Sequence, residues 1–568
     1  MNTHAGSGSS QDRQEMKRRK LLTIRQIPFP EEVDGIFIGG GHNNLVAANY
    51  LGRAGAQVLV LESQRKLGGG LTTEEVTLPL FKHNLHAYFV RWTPNYRIWN
   101  DLQPSRYGLE TFVPEVQNGI PFRDGGGLVT YNSIDKSLAV MRKISPKDAD
   151  TYGRLYAEFG EMVQKIIDPL YFSPPLPSDE LESLLSRSKL GRRFLELNRY
   201  APLDLVRELF EHEVVRTLVL FNVSVRGYLP VLDAPHGGYV VLLALFGSHH
   251  GAMITGGSYE ATRALAAAAF DCGGVAATNT KVERILVEQG RAAGVELSDG
   301  RRVRARKFIC SNLAAPLTLG RLVEPQHLDS DLRQAALSYT WNAESLFGLH
   351  LALREPPHYR GAEPDSPLQQ ALNYWVGYET SDDFEGDMHQ IRKGTIPGDV
   401  GALHISVPTR FDPSQAPPGY ATAFAWQFVP NRPVEGNAEI WEQGTVSQEF
   451  AASMVARWQE YAPNLAEAEI ARAIHSPSDT QRHVPSMLFG DRHHGSQHPN
   501  NVFANRPHPS LSDYRTPIMG LYLTGAATHP GGSFTGQPGY NAATVIAQDL
   551  GYDTWWQPRH TRDVLAEL

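Results

Sequence analysis

The stretch Val33-Asp34-Gly35-Ile36-Phe37-Ile38-Gly39-Gly40-Gly41-His42-Asn43-Asn44 decides the fold. Ile36-Phe37-Ile38 is a short apolar run that predicts a buried strand, and a glycine turn follows it directly. Leu45, Ala48, Leu51 and Ala54 then recur at helical spacing, Gly55 ends the helix, and Val58-Leu59-Val60-Leu61 returns as a second apolar strand. Strand, turn, helix and strand over about 30 residues make a βαβ unit. Such a turn suits a diphosphate, because the helix start presents unpaired N–H groups and a positive dipole end. Gly39 permits the turn, Gly41 lets the anion approach the backbone, and His42 and Asn43 open the helix beside it. The third fingerprint position, normally glycine for close helix–strand packing, is Asn44, which weakens this pattern taken alone.

Further along, Glu62 ends the second strand, about 20 residues on, where a carboxylate accepts hydrogen bonds from a ribose. A carboxylate there disfavours a 2′-phosphate, so NADP is not expected. Arg65-Lys66-Leu67-Gly68-Gly69-Gly70 and Thr72-Thr73 follow. Glycines at this place are expected where a long FAD continues past its diphosphate, which makes Gly69, Gly70 and Thr72 further cofactor candidates. Near the other end of the chain stand Leu521-Tyr522-Leu523-Thr524-Gly525, Thr528-His529-Pro530-Gly531-Gly532 and a turn at Pro538-Gly539 opening into a helix over 541–550. A helix start aimed at the flavin N1 and C2=O would stabilise the charge of the reduced ring.

Composition sets outer bounds. The chain has 568 residues, 41% hydrophobic and 20% charged, an ordinary globular balance divided over several domain-sized units. A net charge of -8 gives no reason to expect nucleic acid. Cys272 and Cys310 are the only cysteines, which fits a reducing, cytoplasmic setting and removes Cys-x-x-Cys chemistry beside a flavin. The basic run Lys17-Arg18-Arg19-Lys20 has no apolar stretch after it and predicts a solvated tail rather than a signal peptide. The most apolar run, residues 239–246, is too short to span a bilayer.

Residues 101–254 carry long amphipathic stretches (148–167 and 203–219) punctuated by prolines, and predict a largely helical insertion. Residues 258–270 predict a small-residue helix, with short strands at 282–287, 293–297 and 307–310. Strands are predicted at 345–353 and 421–428, and a helix at 446–461. The expected domains are therefore interleaved: a disordered tail over 1–32; an FAD-binding domain from 33–100, 255–315 and 505–553; a substrate domain from 101–254 and 316–504; and a C-terminal tail over 554–568.

Gly39-Gly40-Gly41-His42-Asn43 with Leu45-Val46-Ala47-Ala48, then Leu61-Glu62 and Gly68-Gly69, resemble the phytoene desaturase-like flavoprotein family. Gly520-Leu521-Tyr522-Leu523-Thr524-Gly525 and Gly536-Gln537-Pro538-Gly539-Tyr540-Asn541 are similar to its closing motif, and Val282-Glu283-Arg284-Ile285 to its middle. The subgroup is that of bacterial carotenoid-oxidoreductase-like proteins and a human pyridine nucleotide-disulfide oxidoreductase domain protein, although the thiol pair of that name is missing. The resemblance implies an α/β fold: a Rossmann-type FAD-binding domain of the glutathione reductase and amine oxidase kind, with an interleaved α+β substrate domain. It implies that Gly39, Gly41, Glu62 and Gly69 hold the ADP half with the backbone of Val282, and that Gly525, Gly536, Gly539 and Asn541 hold the ribityl and ring end.

The chemistry follows from the flavin, which accepts hydride at N5 while the protein orients and polarises. His83 and His86 are the candidate pocket residues, with a structural role for both as the alternative; the metal reading of His493, His494 and His498 fails for want of a common face and a carboxylate. The expected activity is FAD-dependent removal of hydride from an apolar isoprenoid, terpene, alicyclic or lipid-like substrate, with quinone, oxygen or another carrier as acceptor. An amine oxidase, a redox-neutral isomerase and a non-catalytic prenyl-binding chaperone are the alternatives, the last drawing on Asn44. Lys189, Arg192, Arg193 and Arg199 around Leu190, Phe194 and Leu195 read either as a peripheral membrane patch or as a solvated helix.

Overall fold

The computed structural model describes residues 29–90, 96–396, 401–433 and 438–568. The expected N-terminal tail, with its basic run, lies outside the described residues up to residue 28. Strand β1 (Glu32–Ile38), helix α1 (His42–Arg53) and strand β2 (Val58–Leu61) form the βαβ unit. Helix α2 (Tyr259–Asp271) leads to β3 (Val275–Ala277), β4 (Val282–Glu288), β5 (Arg291–Leu297) and β6 (Arg302–Ser311), and the chain returns with β7 (Leu521–Leu523) and helix α3 (Gln537–Leu550). All seven strands share one sheet. β3, β2, β1 and β6 run parallel in that order, β7 continues parallel on the far side of the C-terminal half of β6, and β5 and β4 continue antiparallel from its N-terminal half.

The parallel strands are apolar on both faces because both are covered. Phe37, Val58, Val60, Phe308 and Cys310 face α1 and α3, while Ile36, Leu59, Leu61 and Ile309 pack into a second cluster on the opposite side. α1 is buried from Asn43 to Gly52, pressed between the sheet, α2 and α3. The close approach of α3 has a local cause: a side chain on Gly539 would overlap the Asn43 carbonyl.

A second, mixed sheet takes its strands in the order Glu469–His475, Glu344–Leu353, Ala421–Pro430, Leu403–Ser406, Asn373–Val376, Val116–Pro121 and Gly127–Tyr131. Asn373–Val376 and Val116–Pro121 are the parallel pair, and the other neighbours are antiparallel. Helix Gly444–Gln459 covers one face through Met454 and Trp458, and the helices of 134–247 cover the other. The region read as a largely helical insertion thus also supplies a hairpin to this sheet, and short strands at Thr111–Phe112 and Ala252–Ile254 to a three-stranded one. The amphipathic stretch at 203–219 is two helices, Pro202–Leu209 and Glu213–Val223. The break is held by the buried Asp148 carboxylate, which accepts from the N–H groups of Glu211 (2.9 Å) and His212 (2.8 Å).

Residues Glu213–Val231 are long and apolar enough to cross a membrane, at a mean hydropathy of 1.2, but 78% of that window is buried inside the protein. Its backbone also leaves helical geometry at Gly227, where φ is 87°. Helix Lys189–Asn198 turns Phe194 and Leu197 into the core, and Arg193 pairs with Glu158 and Glu196. The residues after 553 are not a free tail. Trp555 stacks on Tyr50 at 5.2 Å, Trp556 is buried with its indole N–H on Thr544 Oγ1 at 3.1 Å, and Thr561 donates to the Pro169 carbonyl. Trp556→Ala is therefore expected to cost about 3–5 kcal/mol, read as a lower midpoint in chemical denaturation. An unchanged midpoint would mean that the C-terminal segment contributes nothing to α1 and α3.

Candidate active site

A cavity of about 960 Å³ opens along the C-terminal edge of the first sheet, where β1, β2 and β6 end. Open parallel sheets bind ligands at this edge. Gly39, Gly41, Glu62 and Val282 line its sheet side, and Gly69, Gly70 and Thr72 continue the wall. Gly39 sits at φ 90°, reserved for glycine, and a side chain on Gly41 would overlap the Asn312 amide. The Glu62 carboxylate accepts from Gly40 N at 2.7 Å and Gln64 N at 2.8 Å, which fixes it at the cavity wall. α1 and α3 both begin at glycines, without a side-chain cap and without an acid in the first turn. Two uncapped helix starts, a carboxylate at one end and glycines that admit a backbone-hugging ligand fit FAD. Gly39, Gly41, His42, Asn43 and Glu62 would hold its ADP half, with Val282 beside them.

His42 joins the two halves of this wall. Its ring meets Phe534 edge-on at 5.2 Å, and burial lowers its pKa to about 4, so it is a neutral side chain. Asn44, the unexpected third residue, is fully buried. Its amide donates to Ile38 O at 3.0 Å and Gly39 O at 2.8 Å, and its carbonyl oxygen accepts from the Thr524 hydroxyl. A glycine at this place could make none of these bonds. The residue that counted against the dinucleotide reading is the one that ties the first glycine turn to the end of β7.

Four expected cofactor residues are not brought to the cavity wall: Gly525, Gly536, Gly539 and Asn541. Side chains on Gly525 and Gly539 would overlap the backbones of Asn312 and Asn43, so packing demands these glycines. Gly536 takes φ 77° to open α3, and Asn541 donates to the carbonyl of Tyr171 and the hydroxyl of Tyr514. The wall from this part of the chain is Ala526, Ser533, Phe534, Thr535 and Gln537.

The candidate histidines separate. His83 is buried behind the wall, its Nε2 2.8 Å from the Thr77 hydroxyl, its ring against His350 at 5.4 Å and its pKa lowered by burial to about 3. It does not face the cavity. His86 does, with His475 at 4.9 Å and His483 at 5.7 Å. Burial first, and those two neighbours second, hold its pKa well below the usual imidazole range.

Sequence reading missed the other charged groups. Asp168 faces the cavity yet is largely enclosed, which pushes its carboxyl up to about 6 against the pull of Arg97. Tyr171, Arg226 and Arg492 also line it. Arg506 is fully buried and donates to the carbonyls of His493, His494, Ser496 and Ala526, which joins the His493-His494 loop to the segment after β7. Nothing in the spacing of these residues marks them, since they come from separate loops and helix ends.

Asn44→Gly restores the more usual fingerprint residue, and it is expected to cost about 1–3 kcal/mol by stranding buried polar groups, with faster loss of FAD on gel filtration. A variant that kept both its stability and its flavin absorbance would remove the bracing role.

The comparisons with known proteins agree with this geometry. The model of the flavin containing amine oxidoreductase family matches residues 45–387. A limonene dehydrogenase subunit of Castellaniella defragrans is 30% identical over 93% of this chain and 96% of its own. The mouse pyridine nucleotide-disulfide oxidoreductase domain-containing protein 2 is 29% identical over 91% of this chain and 94% of its own. The fold is also that of cyclohexylamine oxidase from Brevibacterium oxydans, with a TM-score of 0.55 at 16% identity over 91% of this chain and 99% of the other. The binding-protein alternative loses its support with the role found for Asn44. The chain belongs to the flavin containing amine oxidoreductase family and is an FAD-dependent oxidoreductase of the dehydrogenase and desaturase kind.

Proposed function

We propose that the chain removes hydride from a terpene or another apolar alicyclic or isoprenoid molecule, leaving a new C=C bond, or an allylic alcohol where water traps the cation. The observation that carries this reading is the part of the cavity away from the sheet, walled by Tyr88, Phe89, Val163, Val225, Phe246 and Trp426. Such a wall rewards an apolar body and excludes water. The full-length relationship to a limonene dehydrogenase chain supports it. FAD, when bound, supplies the hydride acceptor, and a quinone, oxygen or another carrier reoxidises it.

Desaturation also releases a proton, and His86 and Asp168 are among the groups on the cavity wall that could take it. A proton on His86 would make a buried imidazolium beside His475 and His483, which burial and those neighbours oppose. A proton on Asp168 instead discharges a carboxylate in an apolar enclosure, the direction in which burial already pushes it. We therefore assign proton acceptance to Asp168 and leave His86 as a neutral part of the wall.

Anaerobic mixing of the holoenzyme with limonene, a carotenoid and a cyclic amine tests the substrate class. Bleaching by the terpene or the carotenoid is expected. Bleaching by the amine alone would replace this reading with amine oxidation, and a rearranged product without net bleaching would replace it with isomerisation. The base must be ionised to act, so bleaching should quicken as pH rises through about 6, the value for Asp168, and level off above it. Asp168→Asn should lose that limb and slow bleaching by about 100-fold. A wild-type rate flat through this range removes Asp168 from the step.

A further inference from the structure

Arg226 is the one group on the apolar wall whose charge has no answer among the described residues. It enters the cavity from the helical layer, beside Val225, Leu243 and Phe246, just before the bend at Gly227. Its hydrogen bonding among the described residues is a single donation, from Nη2 to the Leu243 carbonyl at 3.0 Å. Its Nε is buried without a partner. Burial lowers its pKa, and the neighbours that oppose this are tyrosine hydroxyls, those of Tyr171, Tyr228 and Tyr239, not carboxylates.

The acids nearby are committed elsewhere. Glu344 pairs with Arg492 at 2.7 Å. Asp491 accepts from the N–H groups of Asn342, His493 and Gly495. Asp168 has Arg97 as its cationic neighbour. Arg492 and Arg506 differ from it in their terminal nitrogens: both Nη atoms of each have partners and hold loops together, although the Nε of each is also buried without one, whereas Arg226 engages a single Nη among the described residues. The FAD diphosphate does not answer it either, because the N–H groups suited to that anion belong to α1 on the sheet side of the cavity.

A guanidinium enclosed by apolar groups is strongly disfavoured unless an anion joins it, and its planar fork matches a carboxylate. A neutral carbonyl would fill a donor but leave the charge. We propose that Arg226 anchors the carboxylate of an amphiphilic substrate, an alicyclic or isoprenoid acid whose apolar body lies along the Phe89, Phe246 and Trp426 walls. This rests on the proposed terpene oxidation and narrows it to acids.

The test is a titration of the oxidised holoenzyme, following the flavin absorbance, with perillic acid as the carboxylate and limonene as the matched hydrocarbon. Perillate is expected to bind the wild type more tightly than limonene does. Arg226→Met should weaken perillate by about 30-fold or more while limonene affinity changes far less. Arg226→Lys keeps the charge without the fork and should weaken perillate by about tenfold, which gives a reading even if Arg226→Met does not retain FAD. Equal affinities for the two ligands in the wild type, or equal weakening of both in the variants, overturns the anchor. So does a shift in the flavin midpoint potential with perillate affinity unchanged, which would assign the guanidinium to the cofactor. If perillate binding is lost in Arg226→Met but no terpene ever bleaches the flavin, the anchor stands and the proposed oxidation falls.

Discussion

The Asn44 carboxamide joins two stretches of chain that lie far apart in sequence, the first glycine turn and the end of β7. It donates to the last carbonyl of β1 and to the first glycine of the turn, and accepts from Thr524 at the end of β7. Because Asn44, Ile38 and Thr524 are buried, the cost of breaking the arrangement is that of unpaired polar groups in a dry interior. The consequence is geometric. The turn that faces the diphosphate and the segment that leads to Ser533, Phe534 and Gln537 are held at a fixed offset. Asn312 N–H on Ile38 O at 3.0 Å and Thr524 N–H on Ser311 O at 2.9 Å carry the same register across β6.

Around that brace the protein spends its charged residues in two different ways. Arg506 is a scaffold, with both Nη atoms engaged by backbone carbonyls, and it gives the loop of His493 and His494 a shape that no secondary structure provides. Arg492 and Glu344 form a buried pair that ties the same loop to the second sheet. Asp168 and Arg226 line the cavity, as Arg492 does, but neither forms an ion pair among the described residues. Saturated buried charges stiffen a site, and unsaturated ones are where a ligand's own groups gain most.

The first sheet was legible because its strands are short continuous apolar runs bounded by glycine, and because a turn that hugs a diphosphate tolerates few other residues. Glu62 at the end of β2 was legible for the same reason. What failed did so on physical grounds. A glycine demanded by a neighbouring backbone reads the same in sequence as one demanded by a ligand, and Gly525 and Gly539, expected beside the flavin, are positions that the Asn312 and Asn43 backbones require to be glycine. The break between Pro202–Leu209 and Glu213–Val223 depends on Asp148, which is distant in sequence and leaves no local trace. The hairpin of Val116–Pro121 and Gly127–Tyr131 becomes a sheet edge only by pairing with Asn373–Val376, a long-range contact that periodicity does not report. Asp168 and Arg226 were invisible because their meaning lies in the enclosure around them.

The docking of Trp555 and Trp556 against Tyr50 also bears on how the protein is made. The βαβ unit leaves the ribosome long before β7, α3 and the tryptophan pair that shield its helix. Until those segments have been made, the apolar flank of that helix and one side of β6 have no cover, a state that invites chaperone binding and aggregation. Retention of the prosthetic group is thereby tied to residues far downstream of its diphosphate turn, and a chain cut short of β7 and α3 should have no means of retaining it.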